Sequence, residues 1–375
     1  MKRILITGGA GFIGSRLCEK LFYKGYEITV LDNLSPQIHG TSESFLFKRI
    51  KDKCTFIKGD VRDKEDWKKA IKGQKIIVHL AAETGTGQSM YEAKKYNDVN
   101  VLGTANMLEL LSKKHHNVEK IIIASSRAIY GEGKYVCDNH GITYPNQRND
   151  SDMANKQFNL KCEICISTLK LAATDETSKI HPSSIYGKTK QIQEEMVMQK
   201  AELLGIPAVS FRYQNVYGPG QSLTNPYTGI LSIFSTRILN GNPLDIYEDG
   251  EESRDFVYID DVVNATIMGI EKEEANGQVF NVGSGVTTTV KKVAEYLRSS
   301  YNSEVEIAIS GKYRLGDIRH NYADLTKINN TLGFIPEYDF QKGICEFVEW
   351  VNTQEIMEDK YESSIIELEQ KGLIK

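Results

Sequence analysis

A tyrosine and a lysine four residues apart are the first side chains in this sequence whose spacing suggests catalysis. Tyr186 and Lys190 open a helical pattern that runs to Leu204, and residues at this spacing share one face of a helix. A free phenol has a pKa of about 10, so a tyrosine accepts a proton at neutral pH only if a nearby cation stabilises its phenolate. Lys190 is the candidate cation. The same pattern occurs by chance in many helices, so the pair alone does not establish a site.

A serine at a strand end is the third candidate catalytic residue. Ser126 follows the apolar strand pattern of residues 120–125, and open parallel sheets bind ligands at the edge formed by the carboxyl ends of their strands. We expect Ser126 to hydrogen-bond a substrate hydroxyl and to hold it near Tyr186. With Lys190, this set can take the proton of a carbinol while a cofactor takes the hydride. The alternative is a serine that only closes a turn.

A glycine-rich turn indicates a dinucleotide site. Residues 7–14 have the sequence TGGAGFIG and connect an apolar strand pattern to a helical pattern. Glycines let the backbone approach a pyrophosphate, and the N–H groups at the start of the helix bind its negative charge. The residues expected to hold the dinucleotide here are Gly8, Gly11, Phe12, Ile13 and Gly14. A tight turn without a ligand is the alternative.

An aspartate after the second strand pattern favours NAD over NADP. Asp32 follows the glycine turn at about the spacing at which a carboxylate accepts hydrogen bonds from the adenosine ribose. A 2′-phosphate would meet like charge there, and neither Asn33 nor Leu34 offers a compensating arginine. We therefore expect NAD, with Asn33, Asp60 and Val61 bordering its adenosine half. A strand-end turn aspartate is the alternative.

The elements that carry these residues alternate between strand and helix. Apolar strand patterns occur at 2–7, 27–31, 54–58, 75–80, 120–125 and 208–213, and helical patterns at 12–24, 63–71, 99–113 and 186–204. This order predicts an α/β fold of the Rossmann type, in which a doubly wound parallel sheet carries helices on both faces.

A smaller lobe is expected to begin after Tyr213, where the regular alternation ends. We expect a NAD-binding domain over 1–213, rejoined by about 256–282, and an interleaved C-terminal α/β substrate lobe over 214–255 and 283–375. The Glu- and Lys-rich end, 354–375, is typical of a solvated amphipathic helix, with an interaction tail as the alternative.

Composition excludes several classes of protein. Hydrophobic residues make up 40% of the 375 residues, and no apolar run reaches the roughly 18 residues of a membrane span. The formal net charge of -4 is spread over both signs, without a basic block that could follow a nucleic-acid backbone. Residues 1–7 do not resemble a secretory signal. We expect a cytoplasmic protein with no membrane and no nucleic-acid partner.

Taken together, these motifs resemble those of the extended short-chain dehydrogenases/reductases of the NAD-dependent nucleotide-sugar epimerase/dehydratase family. The matching motifs are TGGAGFIG at 7–14, HLAA at 79–82, NVLGT at 100–104, Ser126 four positions before Tyr130, and Tyr186 with Lys190. The resemblance covers nearly the whole chain. It implies an enzyme with NAD as cofactor, a nucleotide-linked sugar as substrate, and a homodimer paired through the helices at 99–113 and 186–204.

The resemblance also implies roles for further residues. On the cofactor side, the residues implied to contact NAD are Leu80, Ala81, Ala82 and Asn100, together with Tyr186 and Lys190. On the substrate side, Ser126 and Arg127 face the sugar, Asn215 contacts the sugar nucleotide, Arg254 binds its diphosphate, and Arg314 and Asp317 hold the nucleotide end. Arginine suits this task because its planar fork of donors matches phosphate oxygens. Without the family, Arg254 would more often be a surface ion pair.

The two residues after Ser126 separate two chemistries within the family. A 4,6-dehydratase carries an acid and a base directly after its hydroxyl-binding residue, to eliminate water across two carbons. Arg127 and Ala128 stand there instead, and neither replaces that pair at neutral pH. The resemblance therefore implies epimerisation at C4 through a transient 4-keto sugar. The segments SSRAIYGEG and RLGDIRH are similar to those of dTDP-L-rhamnose 4-epimerases, which interconvert deoxyhexoses for polysaccharide biosynthesis.

Two other classes of function stay open. A dehydratase or a net dehydrogenase of the same family would share the first oxidation, and the dehydrogenase would release its ketone together with NADH. A protein that only senses NAD would keep the glycine turn, but it would have little use for Ser126, Tyr186 and Lys190 together.

The connection from Ser126 to Tyr186 is longer than relatives generally need, which indicates an insertion near 133–175. This insertion contains the C-x2-H pair Cys137 and His140 and the C-x2-C pair Cys162 and Cys165. Such pairs are typical of a tetrahedral structural zinc site that folds a short polar segment. The alternative is an irregular loop with incidental cysteines, because the flanking glycines of zinc ribbons are missing.

Overall fold

The fold is built on a parallel sheet whose strands alternate with helices along the chain. The computed structural model describes residues 2–40, 44–113, 116–225 and 229–375. The segments 1–213 and 214–255, named above as parts of two lobes, therefore include positions that lie outside the described residues. Within the described ranges, no helix has both the length and the apolar character of a membrane span.

The secondary structure alternates regularly up to residue 213 and less regularly afterwards. In chain order the strands are β1 (Arg3–Thr7), β2 (Glu27–Asp32), β3 (Thr55–Lys58), β4 (Ile76–His79), β5 (Lys120–Ser126), β6 (Tyr135–Cys137), β7 (Gly141–Thr143), β8 (Lys170–Leu171), β9 (Ala208–Tyr213), β10 (Asn215–Tyr217), β11 (Leu244–Ile246), β12 (Ser253–Tyr258), β13 (Val279–Val282), β14 (Thr287–Thr289), β15 (Ile307–Ile309) and β16 (His320–Asn321). The helices are α1 (Phe12–Tyr23), α2 (Pro36–His39), α3 (Phe45–Ile50), α4 (Lys64–Ile71), α5 (Thr86–Ser89), α6 (Ala93–Tyr96), α7 (Gly103–Leu111), α8 (Asp150–Ala154), α9 (Ile185–Leu204), α10 (Ile230–Leu239), α11 (Ile259–Glu271), α12 (Val290–Ser300), α13 (Thr326–Leu332), α14 (Phe340–Val351) and α15 (Tyr361–Gln370).

The main sheet has the strand order β13-β9-β5-β4-β1-β2-β3, and its strands run parallel. Ile4 and Ile6 pack into the apolar cluster on one face, whereas Leu5 packs into the cluster on the other face. Burial on both faces explains why β1 is a continuous apolar run rather than an alternating one. The predicted doubly wound α/β fold is confirmed. The chain order reverses between β1 and β4, so the crevice at their carboxyl ends is where such a sheet binds a ligand.

The helix predicted over 99–113 begins in a wider turn than expected. Residues Asn97–Leu102 form a π-helix, which continues into α7. Such local π turns re-aim side chains and occur often at functional sites. Here the turn buries Asn100, whose side chain bonds the backbone N–H and carbonyl of Glu83 (2.8 and 3.1 Å) and the hydroxyl of Thr189 (2.9 Å). Asn100 thereby ties the wall of the crevice to α9.

The segment 256–282 contributes to two sheets. Its last strand, β13, pairs with β9 at the edge of the main sheet, and α11 packs against α1. Strand β12, which carries Arg254, pairs instead with β10, β14 and β16 in a second, mixed sheet. Strands β11 and β15 form a separate parallel pair. Arg254 is therefore carried by the second sheet rather than by the main sheet that carries the glycine turn.

The chain end does not match the expected solvated helix. Helix α15 begins at Tyr361, and Ile365, Leu368 and Ile374 are buried against the tyrosines at 91, 247 and 361. The final residues also form backbone hydrogen bonds with Tyr313, from Lys375 N to Tyr313 O (3.0 Å) and back (2.9 Å). The sequence pattern underestimated this segment because its apolar residues are outnumbered by polar ones, although Ile365, Leu368 and Ile374 are buried in one cluster.

A buried ion pair fixes α9 against the main sheet. Arg212 on β9 donates to both carboxylate oxygens of Glu194 on α9, at 2.5 to 3.2 Å, and both side chains are about 5% exposed. Arg212 also donates to the Tyr130 hydroxyl at 2.6 Å. These bonds set the position of α9, which carries Tyr186 and Lys190 at its start.

Glu194→Gln should lower the free energy of unfolding by about 3 to 5 kcal/mol, because Arg212 is left as a buried charge without its counter-ion. Denaturant titration followed by circular dichroism measures the difference. The matched control is Glu195→Gln, an exposed neighbour on the same helix, which should change stability by less than about 0.5 kcal/mol. Equal effects of the two variants would contradict the structural role of the pair.

Candidate active site

A cavity of about 610 Å³ opens at the carboxyl ends of the main-sheet strands. Small-molecule sites typically have volumes of about 300 to 1,000 Å³. The sequence-predicted residues that line it are Gly8, Gly11, Phe12, Ile13, Gly14, Asp32, Asn33, Val61, Leu80, Ala81, Ala82, Ser126, Arg127, Tyr186, Lys190, Asn215, Arg254, Arg314 and Asp317. Of the described residues expected to contact NAD, Asp60 and Asn100 do not line the cavity.

The glycine turn leaves room that side chains would fill. Gly8 has φ +66°, and a Cβ on it would lie 2.8 Å from the backbone nitrogen of Ala81. A Cβ on Gly14 would lie 2.3 Å from the carbonyl oxygen of Gly8, so only glycine lets α1 approach the turn. The N-cap of α1 is Gly11, which offers no side chain to the free N–H groups of the first turn. These donors face the cavity and suit a pyrophosphate.

Asp32 stands at the next strand end with its carboxylate already oriented. It accepts hydrogen bonds from the backbone nitrogens of Ala10 (3.0 Å) and Leu34 (2.9 Å). Burial raises the pKa of Asp32, while these bonds and the nearby His39 act in the opposite direction. His39 Nε2 lies 3.7 Å from the carboxylate and also lines the cavity. Sequence reasoning missed His39, because it lies in an irregular segment without a motif.

Asp60 does not line the cavity, but it bonds a residue that does. It accepts hydrogen bonds from the side chains of Asn33 (3.2 Å) and Arg62 (2.7 and 2.9 Å). Burial acts to raise the pKa of Asp60, but the bonds from Arg62 and Asn33 lower it to about 2. Asp60 therefore holds Asn33, which does line the cavity.

Tyr186 lies at the start of α9, where Ser184 caps the helix by accepting a hydrogen bond from Gly187 N at 3.0 Å. Burial raises the pKa of the Tyr186 phenol, whereas a hydrogen bond with Ser126 and the positive charge of Arg127 lower it. The backbone nitrogen of Ala128 donates to Ser126 Oγ at 3.2 Å and fixes that hydroxyl at the end of β5. Ser126 and Tyr186 both line the cavity, and the role of Ser126 in holding a substrate hydroxyl near Tyr186 stays a prediction.

Lys190 is buried, and its ammonium donates to Gln193 Oε1 at 2.8 Å. Burial lowers the pKa of Lys190 to about 7, against the opposing charge of Glu194. The charge that most directly favours the Tyr186 phenolate here is that of Arg127. The role of Lys190 as the cation that favours the phenolate stays a prediction; sequence reasoning named Arg127 for the sugar but missed its charge next to Tyr186.

A chain of buried hydrogen bonds connects Lys190 to the glycine turn. Gln193 donates to Thr104 Oγ1 (2.9 Å), which lies 3.0 Å from His79 Nε2, and the other nitrogen of His79 lies 2.7 Å from Thr7 Oγ1. Burial, with a smaller contribution from the charge of Lys190, lowers the pKa of His79 to about 3, which keeps its ring neutral. Sequence reasoning quoted the HLAA and NVLGT motifs but missed this link between them.

The part of the cavity wall formed by Arg127, Asn215, Arg254, Arg314 and Asp317 is called the far wall here. Its arginines Arg127 and Arg254 donate hydrogen bonds to an amide or to backbone carbonyls rather than to carboxylates. Arg254 donates to the backbone carbonyls of Ser253 (2.9 Å), Ile318 (2.8 Å) and Arg319 (3.1 Å). Arg127 donates to Asn215 Oδ1 at 3.0 Å, and burial together with the charge of Arg254 lowers its pKa to about 9. The N–H groups of these two arginines do not donate to carboxylates, and such donors suit a phosphate.

Arg314 lines the cavity and lies on the segment that pairs with the last residues of the chain, through a bridge between Arg314 and Ile374. Its nearest carboxylate is Asp317, at 3.6 Å, and its guanidinium lies 5.7 Å from the centre of the Tyr247 ring. Arg314 Nε is buried without a hydrogen-bond partner among the described residues, which is costly unless a ligand supplies an acceptor. Tyr247 and Tyr361 also line the cavity. Sequence reasoning missed both tyrosines, since neither lies in a motif.

The two cysteine-containing pairs of the insertion are separated in sequence but lie next to each other in space. Cys137 Sγ lies 3.5 Å from His140 Nδ1 and 3.6 Å from Cys165 Sγ, and Cys162 Sγ lies 3.4 Å from the same His140 nitrogen. Cys137 and Cys162 are buried, while His140 and Cys165 are exposed. The four residues named from the sequence are therefore neighbours in space.

Comparison with known proteins now identifies the family. The model of the NAD-dependent epimerase/dehydratase family matches residues 4–150 and 167–283. The chain belongs to this family. A dTDP-L-rhamnose 4-epimerase from Burkholderia thailandensis is 37% identical over 352 residues, which cover 93% of this chain and 95% of that relative. The expectation of an epimerase-family enzyme is confirmed.

Solved structures of the family have the same architecture. The UDP-glucose 4-epimerase of Thermotoga maritima with UDP-glucose is 29% identical, with a TM-score of 0.75 over 93% of this chain and 98% of that chain. The UDP-glucuronic acid 4-epimerase of Bacillus cereus, in complex with UDP-glucuronic acid and NAD, is 25% identical, with a TM-score of 0.75 over 93% and 99%. Among these family members the fold is constant, while the nucleotide sugar differs.

The pKa of Lys190 predicts a specific pH dependence of stability. Because this pKa is about 7 in the folded protein and about 10.5 in an unfolded chain, the unfolded state binds more protons between these values. The free energy of unfolding of the native protein relative to Lys190→Met should therefore rise from pH 7 towards pH 10. Urea titrations without added NAD measure it. A pH-independent difference, or the same rise relative to the exposed-site control Lys188→Met, would contradict the burial of a charged Lys190.

Proposed function

We propose that this enzyme inverts C4 of a nucleotide-linked deoxyhexose, of the dTDP-L-rhamnose type, through a transient 4-keto sugar. The observation that carries the proposal is the pairing of Ser126 with Tyr186 beside two residues that cannot eliminate water. Arg127 is turned towards Asn215, and Ala128 is a buried methyl group. Oxidation followed by reduction at the same carbon needs no further acid or base.

Tyr186 is the proposed proton acceptor for the C4 hydroxyl. Ser126 donates a hydrogen bond that favours the phenolate, and the charge of Arg127 acts in the same direction. These two interactions reduce the cost of a phenolate in a buried site but do not cancel it, because burial keeps the pKa of Tyr186 above its usual value. The same tyrosine returns the proton when the ketone is reduced. NAD, when bound, supplies the chemistry of accepting hydride from the sugar carbon and giving it back.

The cofactor is held in this proposal by the near side of the cavity. The first-turn N–H groups of Phe12, Ile13 and Gly14 bind the pyrophosphate, next to Gly11, whose own N–H donates to the carbonyl of Gly8 at 3.1 Å. Asp32 accepts from the adenosine ribose. Asn33, Val61, Leu80, Ala81, Ala82 and Lys190 form the rest of this wall. Asp60 and Asn100 are positioning residues, since they bond Asn33 and Glu83 respectively. Gly8 and Gly14 keep the turn open.

The far wall holds the nucleotide end while the sugar moves. Arg254 and Arg314 bind the diphosphate, with Asn215 and Asp317 orienting the adjoining groups. Inversion requires the ketone to present its other face before it is reduced. Binding energy concentrated on the diphosphate, away from C4, permits that rotation without release of the substrate. The relative from Burkholderia thailandensis supports the dTDP-deoxyhexose within this class.

The remaining expectations form part of the same proposal. We assign residues 1–213 with about 256–282 to cofactor binding, and 214–255 with 283–375 to substrate binding. The proposal includes a homodimer paired along α7 and α9; Leu102, just before α7, and Leu203, near the end of α9, have exposed side chains. A cytoplasmic location fits three neighbouring thiols that a reducing compartment would preserve.

Incubation with a panel of dTDP-, UDP-, GDP- and CDP-linked sugars, followed by NMR, tests the function. The native enzyme should convert dTDP-L-rhamnose into its C4 epimer until the two sugars reach equilibrium. Tyr186→Phe should bind NAD as the native protein does yet lose nearly all turnover, because the ring remains and the proton acceptor is gone.

Three results would count against the assignment. Stoichiometric NADH would indicate a net dehydrogenase, and loss of water from the sugar would indicate a dehydratase. Near-native turnover by Tyr186→Phe would remove the tyrosine from its role. If only a UDP-linked sugar is epimerised, the epimerase activity is supported, but the proposed dTDP-linked substrate is wrong.

A further inference from the structure

The insertion between β5 and α9 has little apolar material to hold it together. Its three short strands pair antiparallel in the order β7-β6-β8. Their core consists of five buried residues, and two of these are cysteines: Tyr135, Cys137, Leu160, Cys162 and Leu169. The family model leaves residues 151–166 unmatched, so the family's sheet does not account for this segment. A core of this size needs a further source of stability.

The four ligand atoms have the spacing of a metal tetrahedron. Zn–S bonds of about 2.3 Å and Zn–N bonds of about 2.0 Å place tetrahedral corners about 3.8 Å apart between two sulfurs and about 3.5 Å apart between sulfur and nitrogen. The observed Cys137 to Cys165 separation is 3.6 Å, and the two sulfur to His140 Nδ1 separations are 3.4 and 3.5 Å. All four atoms lie within 4.8 Å of one another.

A tight turn holds the C-x2-C pair. The backbone nitrogen of Cys162 donates to the carbonyl of Ser167 at 2.8 Å, and that of Ile166 donates to the carbonyl of Cys162 at 2.9 Å. The sulfurs of this turn thereby lie next to Cys137 and His140. A disulfide does not explain this, because its sulfurs would be about 2.05 Å apart rather than 3.6 Å.

Further donors surround the cluster. The Ser167 hydroxyl lies 3.0 Å from Cys165 Sγ and 3.6 Å from Cys137 Sγ, and Asn139 Nδ2 lies 3.7 Å from Cys165 Sγ. Such outer contacts orient metal ligands and reduce the charge on thiolates. Three cysteines and one histidine fill four positions, which is the closed ligand set of structural zinc rather than of catalytic zinc.

The insertion also reaches the wall of the cavity. Arg148 donates to the carbonyl of Asp317 (2.9 Å) and to the carboxylate of Glu248 (2.7 Å). Asn159 accepts from Arg319 Nε at 3.2 Å. The carbonyls of Ile318 and Arg319 in turn hold the guanidinium of Arg254. The folded insertion therefore braces the segment that positions Arg254.

We propose that Cys137, His140, Cys162 and Cys165 bind one structural Zn²⁺, which folds the insertion and thereby braces Arg254. The zinc site itself is independent of the reaction that the enzyme performs. The bracing of Arg254 rests on the proposed function, because it assumes that this arginine binds the substrate diphosphate.

Elemental analysis of untagged protein, purified under reducing conditions without added metal, tests the site. About one zinc per chain is expected, and Cys162→Ser with Cys165→Ser should lose it. Cys345→Ser, which changes an exposed cysteine outside the cluster, should keep it. Co²⁺ exchanged into the native protein should give the visible absorption of tetrahedral thiolate-bound cobalt. Iron in place of zinc, or no metal together with no uptake of added Zn²⁺, would overturn the proposal.

Substrate and cofactor binding to zinc-free protein test the brace separately. Native protein stripped by a chelator should retain NAD binding, while the KM for the nucleotide sugar rises about tenfold or more, because a loosely held arginine binds diphosphate less tightly. Readdition of Zn²⁺ should restore the KM. An unchanged KM in zinc-free protein would overturn the brace. If no sugar turns over in any form, the proposed substrate fails, while the metal content still decides the zinc site.

Discussion

The central constraint in this structure is the burial of charges on which the proposed chemistry depends. Lys190 lies in the interior with its ammonium bonded to a neutral amide, and Tyr186 lies where burial opposes formation of its phenolate. Both groups lie on α9, which packs against β5 and β9. The Arg212 and Glu194 pair fixes α9, and the chain through Gln193, Thr104 and His79 ties its first turns to β1. Fixed dipoles of this kind stabilise charge without reorganisation.

The two walls of the cavity also differ in the hydrogen-bonding groups that they present. The near wall offers backbone N–H groups and one oriented carboxylate, whereas the far wall offers arginines bonded to backbone carbonyls or left with a free donor. In the proposed complex, the pyrophosphate of NAD accepts from the N–H groups of the near wall, and the diphosphate of the substrate accepts from the arginines of the far wall. The binding energy then lies at the phosphates, which leaves the reacting sugar free to turn. The chain end contributes to this arrangement, since Tyr361 closes the same cavity.

Much of the fold could be predicted from periodicity and turn chemistry. The apolar runs gave β9 with its observed bounds and β1 to within one residue, because strands buried on both faces carry a strong local signal. The glycine turn and Tyr186 also lie in local motifs. Long-range contacts were not predictable in this way. His39, Tyr247, Tyr361 and the Arg127 contact with Asn215 arise only when distant segments meet, and the burial of the chain end depends on the tyrosines that it covers.

The most direct test of a redox-neutral inversion at one carbon uses a substrate deuterated at C4. If Tyr186 moves only the hydroxyl proton and the hydride returns to the carbon it left, the product keeps its deuterium at C4, and no solvent hydrogen enters C5 or C6. NMR and mass spectrometry of the product in ordinary water measure this. Loss of the C4 label would show that the hydride does not return to the carbon it left, and solvent hydrogen at C5 would require proton transfer at carbon that the Ser126 and Tyr186 pair does not provide. Either result would contradict the account.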